Sequence, residues 1–145
     1  HLEGKRLPQG LEDLIMELKA KVPIEIVHEI DEEIELNKGI EDHLFRIVQE
    51  ALSNTMRHSR ADKMEIKLQH RNDYVRLYIR DNGIGFDMDS KKQASYGLVT
   101  MRERVSEIGG AMELVSAPGK GTRIEIRIPI IEGESEENVD DGDAD

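Results

Sequence analysis

Glu41 to Ala61 reads EDHLFRIVQEALSNTMRHSRA. Set out at 100° steps, Leu44, Ile47, Val48, Ala51, Leu52 and Thr55 fall on one stripe, which predicts an amphipathic helix from about Lys38 to His58 with that stripe against a core. Glu50 and Asn54 stand side by side on the border of the stripe, and Arg57 projects from the same edge. Two readings fit these three polar residues. They can form a solvated i, i+3 and i, i+4 network. Alternatively the Asn54 carbonyl oxygen is a hard neutral ligand for a cation such as Mg²⁺, with the Glu50 carboxylate one turn away to take a proton or orient a metal-bound water.

Outward from this helix the chain alternates between strand and helix signals. Before it, Pro8 suits a first helical turn, and Leu11, Leu14, Ile15 and Leu18 recur at helical spacing until Pro23. Ile24, Ile26 and Ile30 then suggest a strand. After it, Met64, Ile66 and Leu68 alternate with polar residues, Arg71-Asn72-Asp73 makes a turn, and Val75, Leu77 and Ile79 alternate again up to Asp81. A polar loop from Asn82 to Tyr96 precedes a helix from about Leu98 to Ile108, which Gly109-Gly110 stops. Met112 to Val115 and Ile124 to Ile130 form a last strand pair around Pro118-Gly119. Hairpins separated by helices predict a two-layer α/β sandwich: a mixed, mostly antiparallel sheet with helices on one face.

The chain has 145 residues, enough for one domain with a real core, and no cysteine, hence no disulfide framework, thiol nucleophile or zinc-thiolate site. Its formal charge is −11, but eight acidic and no basic residues lie from Glu132 onward, leaving the preceding part at −3. EGESEENVDDGDAD, residues 132–145, therefore reads as an acidic disordered tail. With the rest nearly balanced there is no basic stripe, and nucleic acid is not expected as a partner. No apolar run approaches the roughly 20 residues of a membrane span, so direct membrane contact is not expected of this stretch either.

Asp81 ends an apolar strand, where a charge is costly unless something pairs with it. An adenine amino group is such a partner, and a carboxylate there would discriminate against the guanine carbonyl. Asn82-Gly83 alone would signal a type I′ hairpin, but Gly85-Phe86-Asp87-Met88-Asp89-Ser90 shows no returning alternation. The glycines are better read as letting backbone approach a ligand. The loop to Tyr96 has the length of a lid or a disordered segment. Gly97 opens the next helix, whose N-terminal amides suit phosphate, with Lys91 and Lys92 as charge partners or merely solvent-facing side chains. Gly119-Lys120-Gly121-Thr122 is not a P-loop, since glycine follows the lysine and the segment joins two strands. A plain hairpin turn and a ligand-facing Thr122 fit it equally.

QEALSN at Gln49–Asn54, DNGIGF at Asp81–Phe86, SYGL at Ser95–Leu98 and GKGT at Gly119–Thr122, in this order, resemble the N, G1, G2 and G3 boxes of the GHKL superfamily. That superfamily, the Bergerat fold, includes sensor histidine kinases, gyrase, Hsp90 and MutL. The resemblance extends to about Ile131. The longer runs, with SAPGKGTRIEIRIP, are most similar to the NarL/DesK type of histidine kinase, and within it to the LiaS/VraS kind of cell-envelope-stress sensor. The short loop without a phenylalanine-bearing F box fits that type.

The resemblance implies ATP and Mg²⁺ as cofactors. Asn54 would be the metal ligand with the catalytic carboxylate Glu50 beside it, and Asp81 would hold the adenine amino group with Thr122 assisting through water. Gly83 and Gly85 would line the base pocket, Gly97 with Leu98 would close over the phosphates, Arg57 or His58 would reach the phosphate chain, and Tyr96 and Gly121 would also belong to the nucleotide site. It also implies a division into residues 1–8, the end of a linker from dimerisation helices, 9–131, the ATP-binding catalytic domain, and the tail. The implied activity is transfer of the ATP γ-phosphate to a histidine on a dimerisation domain, then to a response regulator, by the cytoplasmic domain of a plasma-membrane sensor.

No histidine of this chain reads as the acceptor. His28-Glu29 lies in a predicted strand, His43 lacks the acidic neighbour that should follow it, and His1, His58 and His70 have no suitable context. Two other readings share the four boxes: a GHKL protein-serine kinase of the anti-sigma-factor type, and an ATP-gated interaction or ATPase module.

Overall fold

The computed structural model describes residues 2–91 and 96–130. Lys92, Ser95 and the acidic tail from Glu132, each singled out above, lie outside the described residues. Helix α1 (Leu7–Lys19) opens with Pro8 in its first turn and buries Leu7, Leu11 and Ile15. Strand β1 (Glu25–Ile30) leads to α2 (Lys38–Asn54), whose Asn37 cap accepts a hydrogen bond from the Ile40 amide at 2.9 Å. Strands β2 (Lys63–His70) and β3 (Tyr74–Asp81) form the expected hairpin. Helix α3 (Leu98–Glu107), β4 (Ala111–Ser116) and β5 (Thr122–Pro129) follow among the described residues.

The five strands form one sheet in the order β1-β2-β3-β5-β4. Only β1 and β2 run parallel, and α2 is the crossover that a parallel pair requires. Alternate residues of the strands, among them Ile66, Leu68, Leu77, Ile79 and Ile126, are buried in one core with Leu11, Ile15, Leu44, Ile47, Val48, Leu98 and Met101 of the helices. The opposite face is polar. There Glu125, only 6 % exposed, is held by Arg76 and Arg127, which draw its carboxyl below the usual range. The sandwich expected from sequence is the fold observed.

The expected helix from Lys38 to His58 needs one correction. Its α-helical part ends at Asn54, and Thr55–Ser59 is a π-turn closed by Arg60 in the left-handed region at φ 56°. The Ser59 hydroxyl donates to the Thr55 carbonyl and accepts from the Ala61 amide, at 3.1 Å each, which holds the wider turn in place. Such single π-turns cluster at functional sites.

Candidate functional site

The π-turn places the end of α2 opposite the ends of β3 and β5. Asn54, Thr55, Asp81, Phe86, Tyr96 and Thr122 are among the residues that enclose a cavity of about 30 Å³ there, and Leu98 adds to its wall. Five of the predicted residues, Asn54, Asp81, Tyr96, Leu98 and Thr122, thus meet at one point although 68 positions separate the first from the last.

Asp81 is 8 % exposed. Its carboxylate accepts from the Gly83 amide at 2.9 Å and from the Thr55 hydroxyl at 3.2 Å, and the Thr122 amide also donates to it. Burial nevertheless dominates and pushes its pKa up from the ordinary carboxylate value, the three hydrogen bonds opposing. A carboxylate offers about four acceptor directions, so one more donor can be taken. Thr122 is also fixed from its other side, because its hydroxyl lies 2.9 Å from that of Ser116. Ser116 donates to the Gly121 carbonyl and accepts from the Phe86 amide, tying the β4–β5 turn to the glycine loop. Gly119–Thr122 belongs to the β4–β5 turn, and Thr122 lines the cavity.

Asn54 is oriented by its amide nitrogen, which donates to the Tyr96 carbonyl at 2.7 Å. Its carbonyl oxygen Oδ1 is buried without a hydrogen-bond partner. Leaving such an acceptor unpaired costs about 1–3 kcal/mol, and a cation is the group that would complete it. One turn earlier, Glu50 is partly exposed, with its carboxylate 3.7 Å from the Arg57 guanidinium. Glu50 does not line the small cavity. It borders a separate groove of about 300 Å³ between α2 and α3, together with Arg46, Gly97, Thr100 and Arg104. Gly97 caps α3 at φ 70°, a conformation that favours glycine, and a Cβ there would sit 2.8 Å from Glu50 Oε2 and push that side chain aside.

The remaining predicted residues occupy other places. His58 stacks on Tyr96 with ring centroids 4.6 Å apart, and Tyr96 meets the Phe86 edge at 5.0 Å. Arg57 folds back along its own helix toward the Ser53 carbonyl and Glu50. Gly83, Gly85 and Gly121 let chain approach chain in this structure: a Cβ on each would collide with the backbone of Ser59, Ala117 and Asp81 respectively. Gly83→Ala should consequently destabilise the fold by about 2 kcal/mol, the range of an overpacked core position, as measured by urea denaturation. An unchanged midpoint would mean that the π-turn yields without cost.

Thr55 and Ser116 are the site residues that the sequence did not point out as such. The signal for Thr55 was present, a hydroxyl inside an otherwise apolar helical stripe. Ser116, just past the expected strand end at Val115, carried none.

Residues 39–132 match the family described as "Histidine kinase-, DNA gyrase B-, and HSP90-like ATPase". The chain is 50% identical over 144 residues to "Sensor protein VraS" of Staphylococcus saprophyticus, a match covering 99% of this chain and 39% of that protein. It is 52% identical over 129 residues to "Sensor protein VraS" of Staphylococcus epidermidis, covering 89% of this chain and 37% of that one. The chain thus spans under two fifths of the length of these relatives. Among solved structures, the Erythrobacter litoralis EL346 blue-light activated histidine kinase superposes with a TM-score of 0.75 at 18% identity, over 90% of this chain and 43% of that one. The Acinetobacter baumannii histidine kinase AdeS gives 0.66 at 14%, over 86% and 63%. At those identities the likeness is one of fold.

Proposed function

The chain belongs to the histidine kinase-, DNA gyrase B- and HSP90-like ATPase family, and from that premise we propose that it is the ATP-binding catalytic domain of a two-component sensor histidine kinase. The observation that carries the reading is the pairing, across one cavity, of the buried Asp81 carboxylate with the unpartnered Asn54 oxygen. The first has an acceptor direction left for the adenine amino group. The second is a neutral oxygen suited to Mg²⁺. Among the described residues no three His, Cys, Asp or Glu side chains group to hold a metal, and Mg²⁺ would be held by Asn54 together with phosphate oxygens and waters, as it usually is. Bound there, Mg²⁺ would neutralise charge on the phosphates.

The cavity is far smaller than ligand pockets of several hundred Å³. Tyr96, stacked on His58 and edge-on to Phe86, has to leave for a base to enter. In the transfer itself, a lone pair on the acceptor imidazole forms the N–P bond as the bond from the γ-phosphorus to the bridging oxygen breaks, and that electron pair departs on ADP. Neutral imidazole needs little base assistance, so Glu50, open to the outer groove, orients the acceptor and the metal shell rather than removing a proton. The acceptor domain, a response regulator and a membrane-anchored, cytoplasm-facing setting belong to the same proposal. Similarity to proteins named as sensors favours it over a serine kinase or an ATP-gated module.

Calorimetric titration with ATP and GTP, each with and without Mg²⁺, tests the reading. Binding of ATP and not GTP, strengthened by Mg²⁺, is expected. Equal binding of both nucleotides would remove the role given to Asp81, and no binding of either would overturn the proposal for this stretch.

A further inference from the structure

Glu41, in the first turn of α2, is the most buried charged side chain among the described residues at 2 % exposure. Its carboxylate accepts from the Arg6 guanidinium at 2.6 Å, the Leu7 amide at 2.9 Å and the Leu36 amide at 2.9 Å. Arg6 donates further to the Leu36 carbonyl at 2.7 Å. Arg6 precedes α1 without offering it a side-chain cap, so Glu41 from α2 satisfies the open N-terminus of α1. The same segment is fastened by a second, apolar contact. Leu2 is 3 % exposed and packs over Gly10, on the α1 face turned to Phe45 of α2, and a Cβ at Gly10 would collide with it. Residues 2–7 are thus fastened to α1 through Leu2 and to the nucleotide helix through Glu41, a buried charge that is strongly destabilised when a partner is withdrawn.

We propose that Glu41 is a positioning residue: a latch through which the segment entering the domain, Leu2–Leu7, sets the position of α2 and with it Glu50 and Asn54. The physical link is α2 itself. Glu50 lies nine residues from Glu41 on one helix, about 13 Å at 1.5 Å per residue, so a shift of the latched end is carried to the site by a rigid element. The far end of α2 runs into the π-turn, where Asn54 and Thr55 meet Tyr96 and Asp81 through single hydrogen bonds. The inference deepens the kinase reading, on which its functional consequence rests: upstream motion reaching Leu2–Leu7 would alter how Asn54 and Glu50 meet nucleotide and acceptor.

Arg6→Ala and Glu41→Gln test this against Lys5→Ala, which removes only the exposed Lys5–Asp13 pair of the same segment. Amide hydrogen exchange is followed by mass spectrometry in nucleotide-free protein, and the Mg-ATP Kd by calorimetry. Both latch variants should speed exchange at residues 51–59 while the β2 amides keep wild-type protection, and should weaken Mg-ATP about threefold to tenfold, the range of coupling through a packed element. Lys5→Ala should change neither. If faster exchange stays within residues 2–7 and 36–41, or if β2 loosens equally, Glu41 is only a structural anchor and the inference falls. Should Glu41→Gln fail to fold, Arg6→Ala decides, since Arg6 is half-exposed. Should the wild-type chain bind no ATP, the kinase reading fails, and the exchange pattern still decides the latch.

Discussion

Asn54→Ala is expected to lower Mg²⁺-dependent ATP affinity by about a hundredfold while leaving the melting temperature nearly unchanged, because losing even an outer partner of a metal ligand costs about 10–100-fold in metal affinity. The stability side is the less obvious half. The substitution removes one hydrogen bond, from Asn54 Nδ2 to the Tyr96 carbonyl, worth about 1 kcal/mol. It also removes Oδ1, a buried acceptor without a partner, which relieves about 1–3 kcal/mol. Alanine is in addition the better helix former at the end of α2 by roughly half a kcal/mol. The terms nearly cancel or favour the variant. A stable protein that no longer responds to Mg²⁺ would therefore mark Asn54 as a residue kept for binding, at some cost to the fold. Calorimetry across a Mg²⁺ series with a thermal melt reads both halves. Wild-type Mg-ATP binding in the variant would remove the metal role, and a large drop in melting temperature would make Asn54 a packing residue.

What sequence shows of this site follows how local the determining interactions are. The stripe from Leu44 to Thr55 was legible because burial repeats with the helical period, and every member of it is buried. The β2–β3 hairpin was legible for the same reason at period two. The π-turn was not, since nothing local prefers it. It depends on Ser59 bonding back to Thr55 and on Gly83 fitting against Ser59 from 24 residues away. The insertion of β5 between β3 and β4 is likewise a matter of long-range pairing that no periodicity records. The glycines illustrate the limit best. Their positions in the loop announced close approach, but the approaching group in this structure is the chain: Ser59, Ala117 and Asp81 backbone. Glu41 shows the converse. A glutamate beside an aspartate near a helix start reads as solvated surface, and only the fold reveals three donors converging on it.

Asp81→Asn should cost about one to two orders of magnitude in ATP affinity, the roughly 1.5–3 kcal/mol of a hydrogen bond to a charged group, and should hold or raise thermal stability at neutral pH. The two effects share one cause. Burial raises the pKa of Asp81, so the folded state binds its proton more tightly than the unfolded chain does. Stability from this group is therefore fully present below the unfolded-state value and is lost as pH rises through the higher folded-state value. Above that folded-state value the ionised, buried carboxylate is a net burden on the nucleotide-free fold. Asparagine removes it, still accepts from the Gly83 amide through its oxygen, and can donate to the Thr55 hydroxyl, which in wild type is itself the donor. Ligand binding runs the other way. The adenine amino group needs an acceptor where asparagine presents N–H₂, donor against donor. ATP affinity of the wild type should accordingly decline on acidification at a higher pH than an ordinary carboxylate near pKa 4 would dictate, and that decline should vanish in Asp81→Asn. Melting curves and ATP titrations at several pH values on both proteins separate the halves. A variant that is markedly less stable at neutral pH would show that the Asp81 charge holds the fold, and a variant that still prefers ATP to GTP would move base recognition to another residue.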